Sequence, residues 1–158
     1  MPIWSEPRRL TPHDFAGAQV LYAELMGPSA ALADAVQFGA VLDHPGTVLW
    51  GADADDVLAA MVTLHLLPNM TWGGRPYALI ENVVTATAHR GTGLGAQVMR
   101  AAINAAWQAD AYKIMLLTGQ QAGATGFYER LGFRKDDKFG MTLRRVPTRQ
   151  QVQQDGLG

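Results

Sequence analysis

The sequence predicts a mixed α/β fold, a central sheet flanked by helices, with elements in the order β-α-α-β-β-β-α-β-α-β-β. Three observations lead there. Apolar residues recur at helical spacing early in the chain and again after residue 93. Apolar, β-branched runs bounded by glycine, proline and aspartate fill the stretch from 47 to 85. At Gly91, Gly93 and Gly95 a strand gives way to a helix through alternating glycines. At 158 residues, 48% hydrophobic and 17% charged, the chain is expected to form one domain over 1–158, with its core in 7–145.

Arg8-Arg9-Leu10 suits a short first strand. Thr11-Pro12 then reads as an N-cap with proline at the first helical position, followed by Phe15, Ala18, Leu21 and Leu25, and Gly27-Pro28 ends that helix. Ser29 is the expected cap of a second helix carrying Leu32, Val36, Ala40 and Val41. Thr47–Trp50 and Val57–Leu67 should pair as a hairpin across Gly51–Asp56, with Tyr77–Thr85 the next strand. After the glycines, Leu94, Val98, Ala102, Ala105 and Ala109 line one helix face, widened by Met99, Ile103 and Trp107. Tyr112–Thr118 reads as a buried strand, and Ala122–Leu131 as a helix closed by Gly132. A last hairpin is expected from Phe133–Lys135 and Phe139–Arg144. The polar, glutamine-rich residues 146–158 form an expected tail.

Composition narrows the function. The net charge of −1, from 13 basic and 14 acidic side chains, speaks against a nucleic-acid binder. The absence of cysteine removes disulfides, thiolate metal sites and a thiol nucleophile. No His, Asp or Glu cluster has metal-ligand spacing, so no metal is expected. The N-terminal stretch does not read as a signal peptide, and Val57–Leu67 falls short of the roughly 18 residues a membrane span needs. A cytoplasmic protein without a membrane partner is the expectation.

A glycine turn leaves backbone N–H groups bare, and a helix starting behind it adds unpaired donors and a positive dipole end, which makes a seat for phosphate. A Walker-type loop needs Lys-Ser or Lys-Thr after its last glycine, where this chain has Ala96-Gln97. Gly91-x-Gly93-x-x-Ala96 meets the form of a dinucleotide fingerprint. Against it, Ala86 to Arg90 separate the strand from the turn, and Asp110 precedes the next strand instead of ending it.

Shifted by one residue, Arg90-Gly91-Thr92-Gly93-Leu94-Gly95 has the pattern Arg-x-x-Gly-x-Gly and resembles the pyrophosphate loop of the N-acetyltransferase (GNAT) superfamily. Independently, Ala124-Thr125-Gly126-Phe127-Tyr128-Glu129-Arg130-Leu131-Gly132-Phe133 is similar to that family's Ala-x-x-Phe-Tyr-x-x-x-Gly-Phe segment. The resemblance runs from about Pro7 to Arg145. It implies a GNAT-type, mostly antiparallel sheet and acetyl-CoA as co-substrate. The N–H groups around Gly91, Thr92, Gly93, Leu94, Gly95 and Ala96, beside Arg90, would hold its pyrophosphate. The edge of Val83, Val84 and Thr85 would pair with the pantetheine arm as an added strand. Gln121 falls where many relatives carry a cofactor-contacting asparagine, and Phe127 and Tyr128 would border the coenzyme.

Acetyl transfer to an amine needs a neutral amine, a stabilised carbonyl oxygen and a protonated leaving thiolate. Without a cysteine nucleophile, direct attack in a ternary complex fits. Tyr128 is the candidate acid, because its family counterpart lies near the coenzyme sulfur and a phenol titrates near 10. The N–H near Val84 could serve the oxyanion. Glu81 is the candidate base, directly or through water. Each has a plainer alternative: Tyr128 as a helix anchor, and Glu81 as the partner of a neighbouring arginine. His13, His44, His65 and His89 read as surface or turn residues. Ile80-Glu81-Asn82, Tyr112-Lys113-Ile114 and Phe127–Phe133 resemble the glucosamine-6-phosphate N-acetyltransferase branch, which has two adjacent acids where this chain has Glu81-Asn82. That branch implies an amino-sugar phosphate among the acceptors, beside other small amines and protein or peptide amines, and a homodimer as partner state. A catalytically inert CoA-binding regulatory module is the competing class.

Overall fold

The computed structural model describes residues 1–120 and 122–146. The chain forms two compact units, 1–117 and the residues from 118 onward. In the first, β1 (Arg8–Arg9), α1 (Phe15–Met26), α2 (Ala35–Asp43), β2 (Thr47–Ala54), β3 (Val57–Leu67), β4 (Tyr77–Thr85), α3 (Leu94–Gln108) and β5 (Ile114–Leu116) follow in order. The five-stranded sheet has the order β1-β2-β3-β4-β5, antiparallel throughout except for the parallel pair β4–β5. This is the expected mixed sheet with its flanking helices.

Strand alternation divides the core. Leu49 and Met61 face α1 and α2, where they pack with Leu10, Ala18, Leu21, Phe38 and Val84. Val62, Leu64 and Ile80 turn to the other face, where α3 crosses the sheet with Leu94, Val98, Met99, Ala102 and Ala106 buried. Trp107, expected on that face, is 51% exposed; Ala106 fills the position instead.

Several boundaries differ from expectation for identifiable reasons. Thr11 caps a 3-10 turn, Pro12–Asp14, whose Asp14 carboxylate accepts from the Thr11 N–H at 2.7 Å, and α1 follows. α2 starts at Ala35, not after Ser29, because Asp34 and Gln37 form a reciprocal capping box at 2.9 and 3.0 Å. Leu32 therefore lies outside the helix, Val36 is 80% exposed, and Phe38 is the buried anchor. The β2–β3 turn is only Asp55-Asp56, at φ 47° and 64°, the left-handed pair of a two-residue hairpin. Gly51 belongs to the strand: a Cβ there would meet Leu10 Cδ2 at 2.6 Å and Leu58 Cδ1 at 2.7 Å.

The second unit contains α4 (Thr125–Arg130), shorter than the expected Ala122–Leu131. The expected hairpin of 133–135 with 139–144 has no strand among the described residues. Its apolar positions Phe139, Met141 and Leu143 are 97%, 92% and 104% exposed. A two-stranded ribbon with no face to bury is marginal in water. The predicted tail lies, except for Val146, outside the described residues.

Candidate active site

β4 carries the centre of the site. Its pairing with β5 covers only Ala78↔Ile114, Leu79↔Met115 and Ile80↔Leu116. From Glu81 to Thr85 the strand is paired, among the described residues, with β3 alone, so its other edge offers free backbone groups there. The register with β3 slips between Met61 and Thr63, opposite Asn82-Val83, and Asn82 sits at φ 51°. This bulge brings both Glu81 and Val84 to the α1 side of the sheet. Val83, Val84 and Thr85, the expected docking edge, therefore lie on the stretch where β4 and β5 have parted.

The segment after β4 is held by side chains. Glu24 of α1 accepts from the Thr87 N–H at 2.9 Å and from its hydroxyl at 3.0 Å, fixing a 3-10 turn over Thr87–His89. Arg90 Nε donates to the Thr85 carbonyl at 3.2 Å, and Thr92 Oγ1 to the His89 carbonyl at 2.6 Å. Gly91 and Gly93 adopt φ 75° and 96°, which side-chain-bearing residues rarely take. A Cβ at either would meet nothing within 4 Å, so the requirement is conformational, not spatial.

Behind them α3 starts at Leu94, which is fully buried and pins the turn to the core. The first helical bond is Gln97 N–H to the Gly93 carbonyl at 3.1 Å. The N–H groups of Gly91, Thr92, Gly93, Leu94, Gly95 and Ala96 have no acceptor among the described residues. Adjacent bare donors at a helix N-terminus fit the diphosphate of a coenzyme.

Glu81 is exposed and makes no ion pair among the described residues, so the arginine partner envisaged for it is not found there. In the second unit, Tyr128 packs edge-on against Phe127 (5.1 Å, 69°) and Phe133 (6.2 Å, 80°). The spacing Phe-Tyr-x-x-x-Gly-Phe has a local cause. Gly132, at φ 98°, lets Phe133 N–H donate to the Tyr128 carbonyl and Gly132 N–H to that of Glu129, which folds Phe133 back onto Tyr128. Gln121 lies outside the described residues. No group of three or more His, Asp or Glu side chains that could hold a metal ion occurs among the described residues.

The sequence missed a polar cluster beside Glu81. Buried Thr47 places its hydroxyl 2.9 Å from His44 Nδ1 and 2.8 Å from His65 Nδ1. Burial holds the His65 imidazole below its ordinary pKa, partly offset by the negative charge of Glu81 and reinforced by His44. Tyr22 of α1 is bonded to Thr63, and burial raises its phenol. Centring the hairpin on Asp55-Asp56 alone would set Thr47 opposite Leu64; the one-residue register shift between Ala52 and Asp53 brings it opposite His65, and taking Gly51 as part of the turn hid both features.

Residues 14–133 match the model of the acetyltransferase (GNAT) family. The chain belongs to that family. Membership puts it among the acetyltransferase enzymes and implies acetyl-CoA as co-substrate, in keeping with the bare amides and the free edge of β4. A protein from Agrobacterium tumefaciens str. C58, provisionally named an acetyltransferase, is 40% identical; the match covers 89% of this chain and all of that one, with a TM-score of 0.83. A glucosamine 6-phosphate N-acetyltransferase of Trypanosoma brucei brucei is 31% identical over 81 residues. That match spans 51% of this chain and 54% of the relative, about half the length of each. The glucosamine-6-phosphate N-acetyltransferase of Arabidopsis thaliana shares the fold, with a TM-score of 0.75 at 17% identity over 91% of this chain and 99% of that one. No helix among the described residues is long and apolar enough to cross a membrane.

Proposed function

We propose that this protein is a cytoplasmic N-acetyltransferase that moves an acetyl group from acetyl-CoA to a primary amine by direct attack within a ternary complex. The observation that carries this is the run of unpaired N–H groups from Gly91 to Ala96, next to the unpaired edge of β4. Acetyl-CoA supplies the activated acyl group. The Gly91–Ala96 amides hold the diphosphate, and Val83, Val84 and Thr85 pair with the pantetheine arm. A backbone N–H near Val84 donates to the acyl oxygen. Glu81 draws a proton from the acceptor ammonium, directly or through water, because an ammonium has no lone pair with which to attack. Tyr128 gives a proton to the departing sulfur, with Phe127 beside it. The role of Tyr128 rests on its place in the Phe-Tyr-x-x-x-Gly-Phe segment.

An amino-sugar phosphate is the favoured acceptor class, supported by the Trypanosoma relative that carries this activity in its name. The partner state is a homodimer, a proposal that rests on the resemblance to the glucosamine-6-phosphate N-acetyltransferase branch. A screen of thioester consumption across amines, glucosamine 6-phosphate included, tests the activity. Thiol release that depends on one of the amines is expected. Binding of acetyl-CoA with no amine-dependent release from any acceptor would leave the inert CoA-binding module as the correct account.

A further inference from the structure

The hydrogen bonds around Thr47 set which nitrogen of His65 carries the hydrogen. The Gly46 N–H donates to His44 Nδ1 at 3.3 Å, so that nitrogen carries a lone pair. The single Thr47 hydroxyl proton, 2.9 Å from the same nitrogen, is then directed to it. This leaves the Thr47 oxygen as an acceptor, 2.8 Å from His65 Nδ1, and His65 must supply the hydrogen there. This arrangement places the His44 hydrogen on Nε2. His65 bears its hydrogen on Nδ1 and has a bare lone pair on Nε2. His65 gains a proton on Nε2 with every existing bond kept.

Strand register brings His65 to Glu81. Thr63 pairs with Glu81 and His65 with Leu79, so His65 and Glu81 are diagonal neighbours on one face of the sheet. Along that face β3 changes from Met61 in the core to Thr63 and His65, and this polar end lies next to the bulge at Asn82. The titratable groups around His65 are His44 ahead of β2, Glu81 and Tyr77 on β4, and Tyr22 of α1, with Lys113 5.7 Å above the Tyr77 ring. His65 itself is half-buried.

We propose that His65, oriented by Thr47, is the terminal acceptor for the proton that Glu81 draws from the amine, and that the Glu81 carboxylate balances the resulting imidazolium. This rests on the acetyl transfer proposed above. The ammonium gives one proton through Glu81 to His65 Nε2, and its freed lone pair forms the N–C bond as the C–S bond breaks. The nitrogen loses its second proton on forming the amide, and that proton returns through water to the Tyr128 phenolate left when Tyr128 protonates the sulfur. His65 then returns its own proton to water. Glu81 remains a carboxylate at the end of each turnover, and His65 is the group whose titration sets the acidic limb of the rate.

The test is the pH dependence of kcat/KM for acetyl transfer to the best amine of the screen, in the wild type, His65→Gln and Glu81→Gln. The wild-type acidic limb is expected below the ordinary imidazole value of about 6.5. His65→Gln should lose that limb and about 100-fold in kcat/KM at neutral pH, with the melting temperature and acetyl-CoA affinity retained. Glu81→Gln removes the relay and should also lower kcat/KM, while the residual rate keeps the limb, moved to lower pH because the removed charge favoured the imidazolium. An unchanged limb in a folded His65→Gln protein overturns the proposal while leaving acetyl transfer intact. Absence of wild-type turnover with any amine overturns both. Should His65→Gln fail to fold, ring nitrogen NMR of the wild type decides: an Nδ1–H tautomer that protonates at Nε2 supports the assignment, and an Nε2–H tautomer contradicts it.

Discussion

Ile80 of β4 pairs with Leu116 of β5, and the two strands pair no further. Beyond Ile80, β4 keeps its ladder to β3 but exposes its other edge through Thr85. Unpaired N–H groups on a strand edge exchange with water readily, and an added strand protects them. Hydrogen exchange should therefore show fast outward-facing amides within 81–85 in the free protein, slowed when acetyl-CoA is added. Protection confined to other strands would remove the role of this edge.

Gly93 at φ 96° is the sharpest constraint in the phosphate seat. Gly93→Ala should destabilise the fold by about 1 kcal/mol, because alanine resists the left-handed region. If the turn shifts to relieve that strain, the N–H groups on either side are re-aimed. The expected result is a loss of affinity for acetyl-CoA of about tenfold or more, measured by calorimetry. A variant destabilised to this degree with unchanged affinity would show that the turn shapes the fold and not the site.

Away from the site, Arg8 joins β1 to the base of α1. Its guanidinium donates to both oxygens of Asp14 (3.0 and 2.8 Å) and to both of Asp53 (3.0 Å each). The Arg8 hydrogen bonds hold the Asp14 carboxyl below its ordinary value of 3.8. The stabilisation is therefore complete above that value and is lost as pH falls from it through the lowered folded value. Arg8 is 40% exposed, which limits the effect. Arg8→Met should lose about 1 to 2 kcal/mol near neutral pH, read by urea denaturation. The deficit should shrink once Asp14 is protonated.

Tyr128→Phe keeps the ring that packs on Phe127 and Phe133 and removes only the hydroxyl. Acetyl-CoA affinity should change little, while kcat falls by about 100-fold if the phenol protonates the leaving sulfur. Unchanged kcat would leave Tyr128 as a helix anchor.

Local chemistry made most of this legible in the sequence. Alternating glycines behind a β-branched run marked the turn ahead of α3, because positive φ at Gly91 and Gly93 is a single-residue requirement. Gly132 and Phe133 likewise carried their own helix-capping signature. What escaped depended on distant pairings. Gly51 looked like a turn residue, but its lack of a side chain is needed by Leu10 and Leu58. His44 and His65 looked unconnected until the hairpin brought Thr47 between them. The Glu24–Thr87 bond spans 63 residues and has no local signal. The alternation of Phe139, Met141 and Leu143 was read as a strand, yet period-2 spacing makes a strand only where a partner and a buried face exist.

The most direct test of the phosphate seat compares two ligands by calorimetry on the wild-type protein: acetyl-CoA and S-acetylpantetheine, which has the same thioester and arm but no diphosphate. Charge-assisted bonds from the amides of Gly91 to Ala96 predict an affinity for acetyl-CoA at least about 100-fold higher. Equal affinities would contradict the assignment of that turn, since the arm alone would then account for binding.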